Sequence, residues 1–575
     1  MRFCAMGKWK LYVPILLVFV TLLGFLAWGI GGNADDALTP DKIEFTDEKN
    51  DLRLLPYHDE VEDKYFLFLP SCTSASNLSV SLANGGVFWN PSVTFQLRSD
   101  SDYGDVAELT IDGQNYVIEI WQCDTIPSVM LQGKVNVMDT VHEDKKNKVS
   151  AKVTVLDEAG DILLQKFGTV SGRGNGTWGD FAWKNQPKAP YNLHFSSPVT
   201  LFQFENISDF CLLAEYSDES KLRNSLACFA GEKVGIDFTS PYSYVNLFAN
   251  GEYLGLYGVA TKKEYEKQAD SYQAVFECAA VIQPPTFYSA FYEQFIQVME
   301  GDTSFTEDVV NYLEFLLYNK KWEECEQVID IESVAKLYAL EEFLCNVDLS
   351  YASQYFYIDQ GERIHAMLPW DFDFSMGSAL THFNPSQERC IMAYRNLLGN
   401  SWYPELIQWE KFRLCVAEAV EEMLDDEVIS ALSDKLRTDI GMIAGSRECD
   451  ARRWKTSKPY NPSPITSGME TLPEFYDFFV DFFPKRRDFL VDYFRNYDEY
   501  CCVTLVASDG TWYSNVCIPK GQRPVDFIEE SEFLSRISPG GWSKLALMTA
   551  DGIPMADIGA ITEDITFVVT ADDAA

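Results

Sequence analysis

The chain has 575 residues, of which 87 are acidic and 46 basic, for a net charge of −41. Such a surface repels nucleic acid, and no basic patch offsets it, which excludes a nucleic-acid partner. Hydrophobic residues at 47% and aromatics at 14% exclude a disordered chain, and the length calls for about three or four domains.

At the N-terminus, Arg2, Lys8 and Lys10 precede an uncharged apolar run from Leu11 to Gly29. About 19 such residues span a bilayer as a helix and exceed the usual apolar core of a signal peptide. The basic residues lie upstream and Asp35 and Asp36 downstream. The positive-inside rule then leaves the rest of the chain outside. The expectation is a single-pass signal anchor over residues 1–32, with the bulk of the chain extracytoplasmic, or a secreted protein if the segment is cleaved. Residues 33–64 read as an acidic linker. From 65 to 134, short strands alternate with turns such as Asp112-Gly113, which predicts a small β-sandwich-like domain. The 14 cysteines form no CxxC pair and the five histidines are scattered, an arrangement that argues against zinc. Cys72 with Cys123 is the pair expected to bridge.

A second region, 135–498, begins with strands at Val149–Leu156 and Ile162–Phe167. Then comes Arg173-Gly174-Asn175-Gly176-Thr177-Trp178. Glycines here either make an ordinary turn or let backbone amides approach a phosphate that Arg173 pairs with. Lys188, before the strand Tyr191–Phe195, is placed as kinases place the lysine that holds nucleotide phosphates, with Lys184 as the rival. Glu215 to Ser220 opens a helix whose buried stripe is Leu222, Leu226 and Phe229, leaving Arg223 and Asn224 off that stripe. Asn250-Gly251 marks a hairpin. Residues 266–330 read as mainly helical.

The stretch Asn346 to Gly377 reads as loop, hairpin, loop. Gln354 to Asp359 and Arg363 to Leu368 are rich in aromatic and aliphatic residues around a Gln360-Gly361 turn. Closing that hairpin brings Asp348 near Asp371, with Asp373 on the same face as Asp371 if that segment is extended. Two converging carboxylates suit a metal and a general base; turn-forming acids in an acidic chain are the alternative.

In order, RGNGTW (173–178), K-x-P-Y (188–191), LLAEYSDESKLRN (212–224), NGEYLGLY (250–257), N-x-D (346–348), PWDFDFSMG (369–377) and FPKRRDFL (483–490) resemble the spore-coat CotH kinase family. The resemblance implies an α+β fold with an atypical protein-kinase-like, two-lobed domain. It also implies transfer of the ATP γ-phosphoryl group to serine of a surface or secreted protein. On it, Asp348 is the catalytic aspartate, and Asp371 with Asp373 holds Mg2+, or Mn2+ in its place. Arg173, Asn175, Lys188 and Arg223 contact the nucleotide. Kinases place an asparagine five residues after the catalytic aspartate; here that place is Ser353, and the amide oxygen of Gln354 stands in. The family's frequent second lysine after the first is Ala189. The alternative is a non-catalytic nucleotide-binding or structural surface protein on a degenerate kinase scaffold.

After the hairpin, 404–449 reads as helices, Arg452–Ser467 as a basic loop, and Leu472–Tyr497 as an aromatic helix pair. Residues 499–575 read as a separate β-grasp-like module similar to the B-repeats of bacterial surface proteins, on PGGW (539–542) and ITEDITF (561–567).

Overall fold

The computed structural model describes residues 38–82, 93–100, 104–134, 136–174, 176–182, 187–279, 284–349, 352–377, 387–394, 401–455, 469–538 and 544–571. The expected membrane segment, 1–32, lies outside them. Among the described residues no helix is long and apolar enough to cross a membrane. Backbone packing separates two compact units, one of residues up to 67 with 75–120, the other of residues 68–74 with 121–575.

Among the described residues, the first unit is built on eight strands: β1 (Ile43–Asp47), β2 (Leu52–Leu54), β3 (Tyr57–Asp59), β4 (Lys64–Leu69), β5 (Leu78–Leu82), β6 (Val93–Asp100), β7 (Gly104–Ile111) and β8 (Gln114–Gln122). They form a three-stranded sheet, β2-β1-β5, and a five-stranded one, β3-β4-β8-β7-β6. The expected acidic linker therefore contains three strands. Its acids mislead because they alternate: β1 buries Ile43 and Phe45 while Glu44 and Thr46 stay half-exposed, the period-two pattern of a one-sided sheet.

The second unit opens with a closed barrel of β9 (Ser128–Gln132), β10 (Val149–Leu156), β11 (Ile162–Gly172), β12 (Tyr191–Leu201), β13 (Phe204–Leu213), β14 (Ser243–Ala249) and β15 (Glu252–Ala260). Strand β9, expected in the sandwich, instead closes the barrel by pairing parallel to β14 and antiparallel to β10. Ala151, Val153 and Val155 point into the barrel core while the residues between them face outward. Asn250 and Gly251 take φ of 47° and 93°, the left-handed pair that a two-residue hairpin turn needs. Three helices attach here: α1 (Val137–Glu143), α2 (Gly176–Ala182) and α3 (Arg223–Lys233).

The helical lobe follows. Its sheet, in the order β17-β18-β16-β19-β20, uses β16 (Tyr272–Cys278), β17 (Phe287–Tyr288), β18 (Phe295–Glu300), β19 (Gln354–Asp359) and β20 (Ile364–Met367). The segment 266–330, expected as mainly helical, supplies three of those strands. Strand β16 lies between β18 and β19 and is largely buried, and such a short apolar run has no period to tell strand from helix. The long helices are α4 (Thr303–Tyr318), α5 (Ile331–Phe343), α6 (Glu410–Met423), α7 (Asp426–Trp454) and α8 (Leu472–Arg495). The expected aromatic helix pair is the single helix α8, which runs through Pro484 and presents Phe475, Phe479, Phe482, Phe483 and Phe489 to the core. The basic loop after Trp454 lies, from 456 to 468, outside the described residues.

The chain ends in a mixed sheet, β22-β21-β24-β23, of β21 (Tyr500–Val506), β22 (Trp512–Pro519), β23 (Leu545–Met548) and β24 (Ile565–Ala571), with α9 (Glu530–Ile537) between its second and third strands. In it the chain's last strand, β24, pairs parallel to β21. The sheet is not a detached module. Asn515, fully buried, accepts from Ile391 N and donates to Ile391 O, both at 2.9 Å. PGGW (539–542) falls outside the described residues. Cys123, expected to pair with Cys72, is a free thiol beside Cys449 of α7.

Candidate active site

The hairpin β19–β20 pairs Tyr355 with Met367 and Ile358 with Ile364, and so brings its flanks together. Ser353 Oγ donates to Asp371 Oδ2 at 3.2 Å. Both residues sit in the left-handed region, with φ of 58° and 71°, a strain that local packing must impose and that clusters at functional sites. Asp371 is exposed and Asp373 half-buried. The Asp373 carboxyl is pushed well above the usual range by burial, then by the negative charges of Asp371, Glu215, Asp348 and Asp218. The charge of Asp348 thus adds to that of Asp371 at the Asp373 carboxyl. Asn346 Oδ1 accepts from Asp348 N at 3.2 Å, and Ala352 N donates to Asp348 O at 3.0 Å, which fixes the loop that carries Asp348.

Two buried arginines and an asparagine hold these loops in place. Arg223, the first residue of α3, donates to Ser375 O at 2.8 Å and to Met376 O at 3.2 Å, and its guanidinium pairs with Asp218. Phe475 and Phe479 cover it. Asn224 accepts from Phe372 N at 2.8 Å and donates to Glu215. Burial pushes Glu215 up to about 7, chiefly by desolvation and then by Asp218. These two side chains, which lie off the Leu222–Leu226 stripe, therefore clamp the 371–377 loop, and Arg223 does so at 1% exposure. On α8, Arg486 donates to Glu342 O at 2.9 Å and to Cys390 O at 2.5 Å, tying down the end of α5 from which the Asp348 loop departs.

Lys188 is fully buried. Its ammonium donates to Asp450 Oδ1 at 2.6 Å and to Leu256 O at 2.5 Å, and lies 4.4 Å from the centre of the Tyr257 ring. Burial pulls its pKa down to about 8, opposed by Asp450. Asp450 also accepts from Leu256 N at 3.0 Å, and Lys221 Nζ lies 3.6 Å from its other oxygen. The lysine expected at the nucleotide is thus enclosed with an acid from α7. Gly255 makes this possible: a Cβ there would stand 2.3 Å from Asp450 Oδ1 and 3.0 Å from Lys188 Cε. The second glycine of NGEYLGLY is therefore set by the ion pair.

Gln354, expected to lend its amide oxygen to a metal, is buried and faces the core. Its oxygen accepts from the Tyr403 hydroxyl at 3.0 Å, and its amide nitrogen lies 3.4 Å from Glu341 Oε1. Burial pushes Glu341 up to about 8. The oxygen beside Asp371 is the hydroxyl of Ser353 instead. Arg173 is half-buried, 5.6 Å from the centre of the Trp370 ring, next to Asp371 in sequence. Asn175 lies outside the described residues; its neighbour Gly174 has φ of +81°. Lys184 also lies outside them.

Two residues that matter here, Asp450 and Lys262, lie in none of the motifs, and two more, Glu215 and Arg486, lie inside motif runs that do not say what they bind. Asp450 and Arg486 stand among other charged residues of long helices, and only their burial distinguishes them from those neighbours. Lys262 follows β15; its ammonium bonds the Tyr355 hydroxyl and lies 5.1 Å from the centre of the Trp370 ring. Glu215 sits in a turn with φ of 50°. An internal glycine such as Gly255 was the one detectable hint, since a glycine inside a strand marks close approach of other atoms.

Asp371, Asp373 and the Ser353 hydroxyl fit a magnesium ion. Among the described residues no group of three or more His, Cys, Asp or Glu forms an all-protein cage. Magnesium is usually held by one or two carboxylates, with water and substrate phosphates completing its shell. No curated protein matches the chain significantly. A sequence model of the family described as CotH kinase protein matches residues 170–490, a span that includes the glycine loop, Lys188, Arg223, Asp348, Asp371 and Arg486. The chain belongs to the CotH kinase protein family.

Proposed function

We propose that the chain is an extracytoplasmic protein kinase that transfers the ATP γ-phosphoryl group to a serine hydroxyl of a surface or secreted protein. The observation that carries this is the convergence of Asp348, Asp371 and Asp373 at the open end of the β19–β20 hairpin, in a member of the CotH kinase family. Asp348 orients the acceptor hydroxyl and takes its proton as the hydroxyl oxygen bonds to the γ-phosphorus and the bridging oxygen of ADP departs. Asp371 and Asp373 would hold Mg2+, which supplies neutralisation of phosphate charge. Arg223 and Asn224 act at one remove: they fix the loop from which Asp371 projects. Phosphoryl transfer asks little more of the protein than positioning and charge.

The second reading, a non-catalytic nucleotide-binding or structural protein on a degenerate kinase scaffold, is favoured by one observation: Lys188 is sealed against Asp450 and Leu256 O. Incubation of the purified chain with Mg2+ and γ-labelled ATP separates the two. The kinase reading expects label on serine that Asp348→Ala and Asp371→Ala each abolish. Thermal stabilisation by Mg-ATP without label would favour the scaffold, and label surviving both substitutions would overturn the assignment of the site.

A further inference from the structure

We propose that Arg173 and Lys262 form an anion clamp across Trp370 that receives the phosphate chain of the nucleotide, the duty expected of Lys188. This rests on the kinase reading above.

The cations around the acidic cluster fall into two sets. Lys188, Lys221 and Arg223 are buried, and each is paired with a buried carboxylate: the two lysines with Asp450, the arginine with Asp218. They are committed to the fold. Arg173 and Lys262 are half-exposed, and neither has a carboxylate within 4.0 Å among the described residues. What holds them is aromatic. The Arg173 guanidinium carbon lies 5.6 Å, and the Lys262 ammonium 5.1 Å, from the centre of the Trp370 ring, and Lys262 is also 4.7 Å from the Tyr355 ring and bonded to its hydroxyl. A neutral π face positions a cation without cancelling its charge. In a chain of net charge −41, two uncancelled cations on one indole are an anion site.

Their placement suits a nucleotide. Arg173 comes from the glycine loop, where Gly174 at φ +81° lets the backbone approach a phosphate closely. Lys262 comes from the segment leaving the barrel, which is fixed by Thr261: its N–H donates to Ser240 Oγ at 2.9 Å and its hydroxyl to Asp209 O at 2.8 Å. Trp370, at 5% exposure, directly precedes Asp371. A polyphosphate held by the two cations therefore lies beside the carboxylates assigned to the metal, with both charges supplied from the barrel side and Trp370 and Asp371 from the helical lobe.

The test uses the full chain carrying Asp348→Ala, so that nothing is consumed. Calorimetry is run with Mg-ATP, with tripolyphosphate and with adenosine. Tripolyphosphate and ATP should both bind, and Lys262→Met and Arg173→Met should each weaken both by roughly tenfold or more, the worth of a charge-assisted contact. Lys262→Arg should retain most of the affinity, and adenosine should be indifferent to all three. If Lys262→Met does not fold, Lys262→Gln replaces it. Wild-type affinity in both Met variants, or loss with adenosine equal to that with ATP, would overturn the clamp while leaving the kinase reading intact. No binding of ATP or tripolyphosphate to the parent chain would overturn both.

Discussion

Replacing Asp450 by alanine removes the counter-charge of both Lys188 and Lys221, and leaves the fully buried Lys188 ammonium with Leu256 O and the Tyr257 ring. Lys188 Nζ and Asp450 Oδ1 are 2.6 Å apart, and both side chains are at 0% exposure. At an effective dielectric of about 20 their gross attraction is ~6 kcal/mol, and desolvation of the two charges consumes part of it. Breaking one half of such a pair costs about 3–5 kcal/mol, because the surviving charge stays buried. Asp450→Ala should therefore destabilise the barrel lobe by about that amount in urea unfolding followed by tryptophan fluorescence. Lys188→Met with Asp450→Leu removes both charges of this pair at similar volume and should recover part of the loss, with a coupling energy of about 2 kcal/mol or more, while the remainder stays with Lys221, whose ammonium 3.6 Å from the other Asp450 oxygen also loses its carboxylate. Additive effects in the cycle, or a loss under about 1 kcal/mol for Asp450→Ala, would mean that the pair is solvated and that Lys188 is free to serve a nucleotide.

Gly255→Ala should destabilise by several kcal/mol, since the new Cβ meets Asp450 Oδ1 at 2.3 Å and the backbone sits at φ +118°; an unchanged melting temperature would contradict the packing. Glu341, raised from 4.5 to about 8 by burial, binds its proton more tightly folded than unfolded, so its contribution is full below the unfolded value and is lost as pH rises through the folded one. Melting temperature should accordingly fall from pH about 4.5 to about 8 and level off above that, and Glu341→Gln should flatten the fall; parallel curves would exclude Glu341 as its source. Asn515→Ala strands the Ile391 peptide group, which should cost about 1–3 kcal/mol and open the junction between the terminal sheet and the helical lobe to protease; wild-type resistance to cleavage there would show that the docking rests on other contacts.

The hairpin was legible because its information is local. Aromatic and aliphatic strands around Gln360-Gly361 fix the register, and register alone brings Ser353 to Asp371. The motif order gave the family for the same reason: each motif is a short contiguous run. What escaped was set by partners distant in sequence. Lys188 and Asp450 are 262 positions apart, and nothing near either residue announces the other. Gln354 was misplaced because a side chain's facing is decided by what surrounds it, here Tyr403 and Glu341. The strands at 43–59 and 272–300 were missed where charge or continuous apolarity hides a period of two. Lys262 carries no motif; only the Trp370 and Tyr355 rings, brought beside it by folding, mark it.

The assignment of the carboxylate cluster as a phosphoryl-transfer site stands most directly on one comparison: transfer from γ-labelled ATP to serine by the wild-type chain, by Asp371→Asn and by Asp348→Asn, each checked for an unchanged melting temperature. Asp371→Asn removes a charge that the cluster needs for its cation, and Asp348→Asn removes the proton acceptor; each should reduce labelling to background, while the fold, held by Arg223, Asn224 and Arg486, persists. Labelling of serine at the wild-type rate by either folded variant would contradict it.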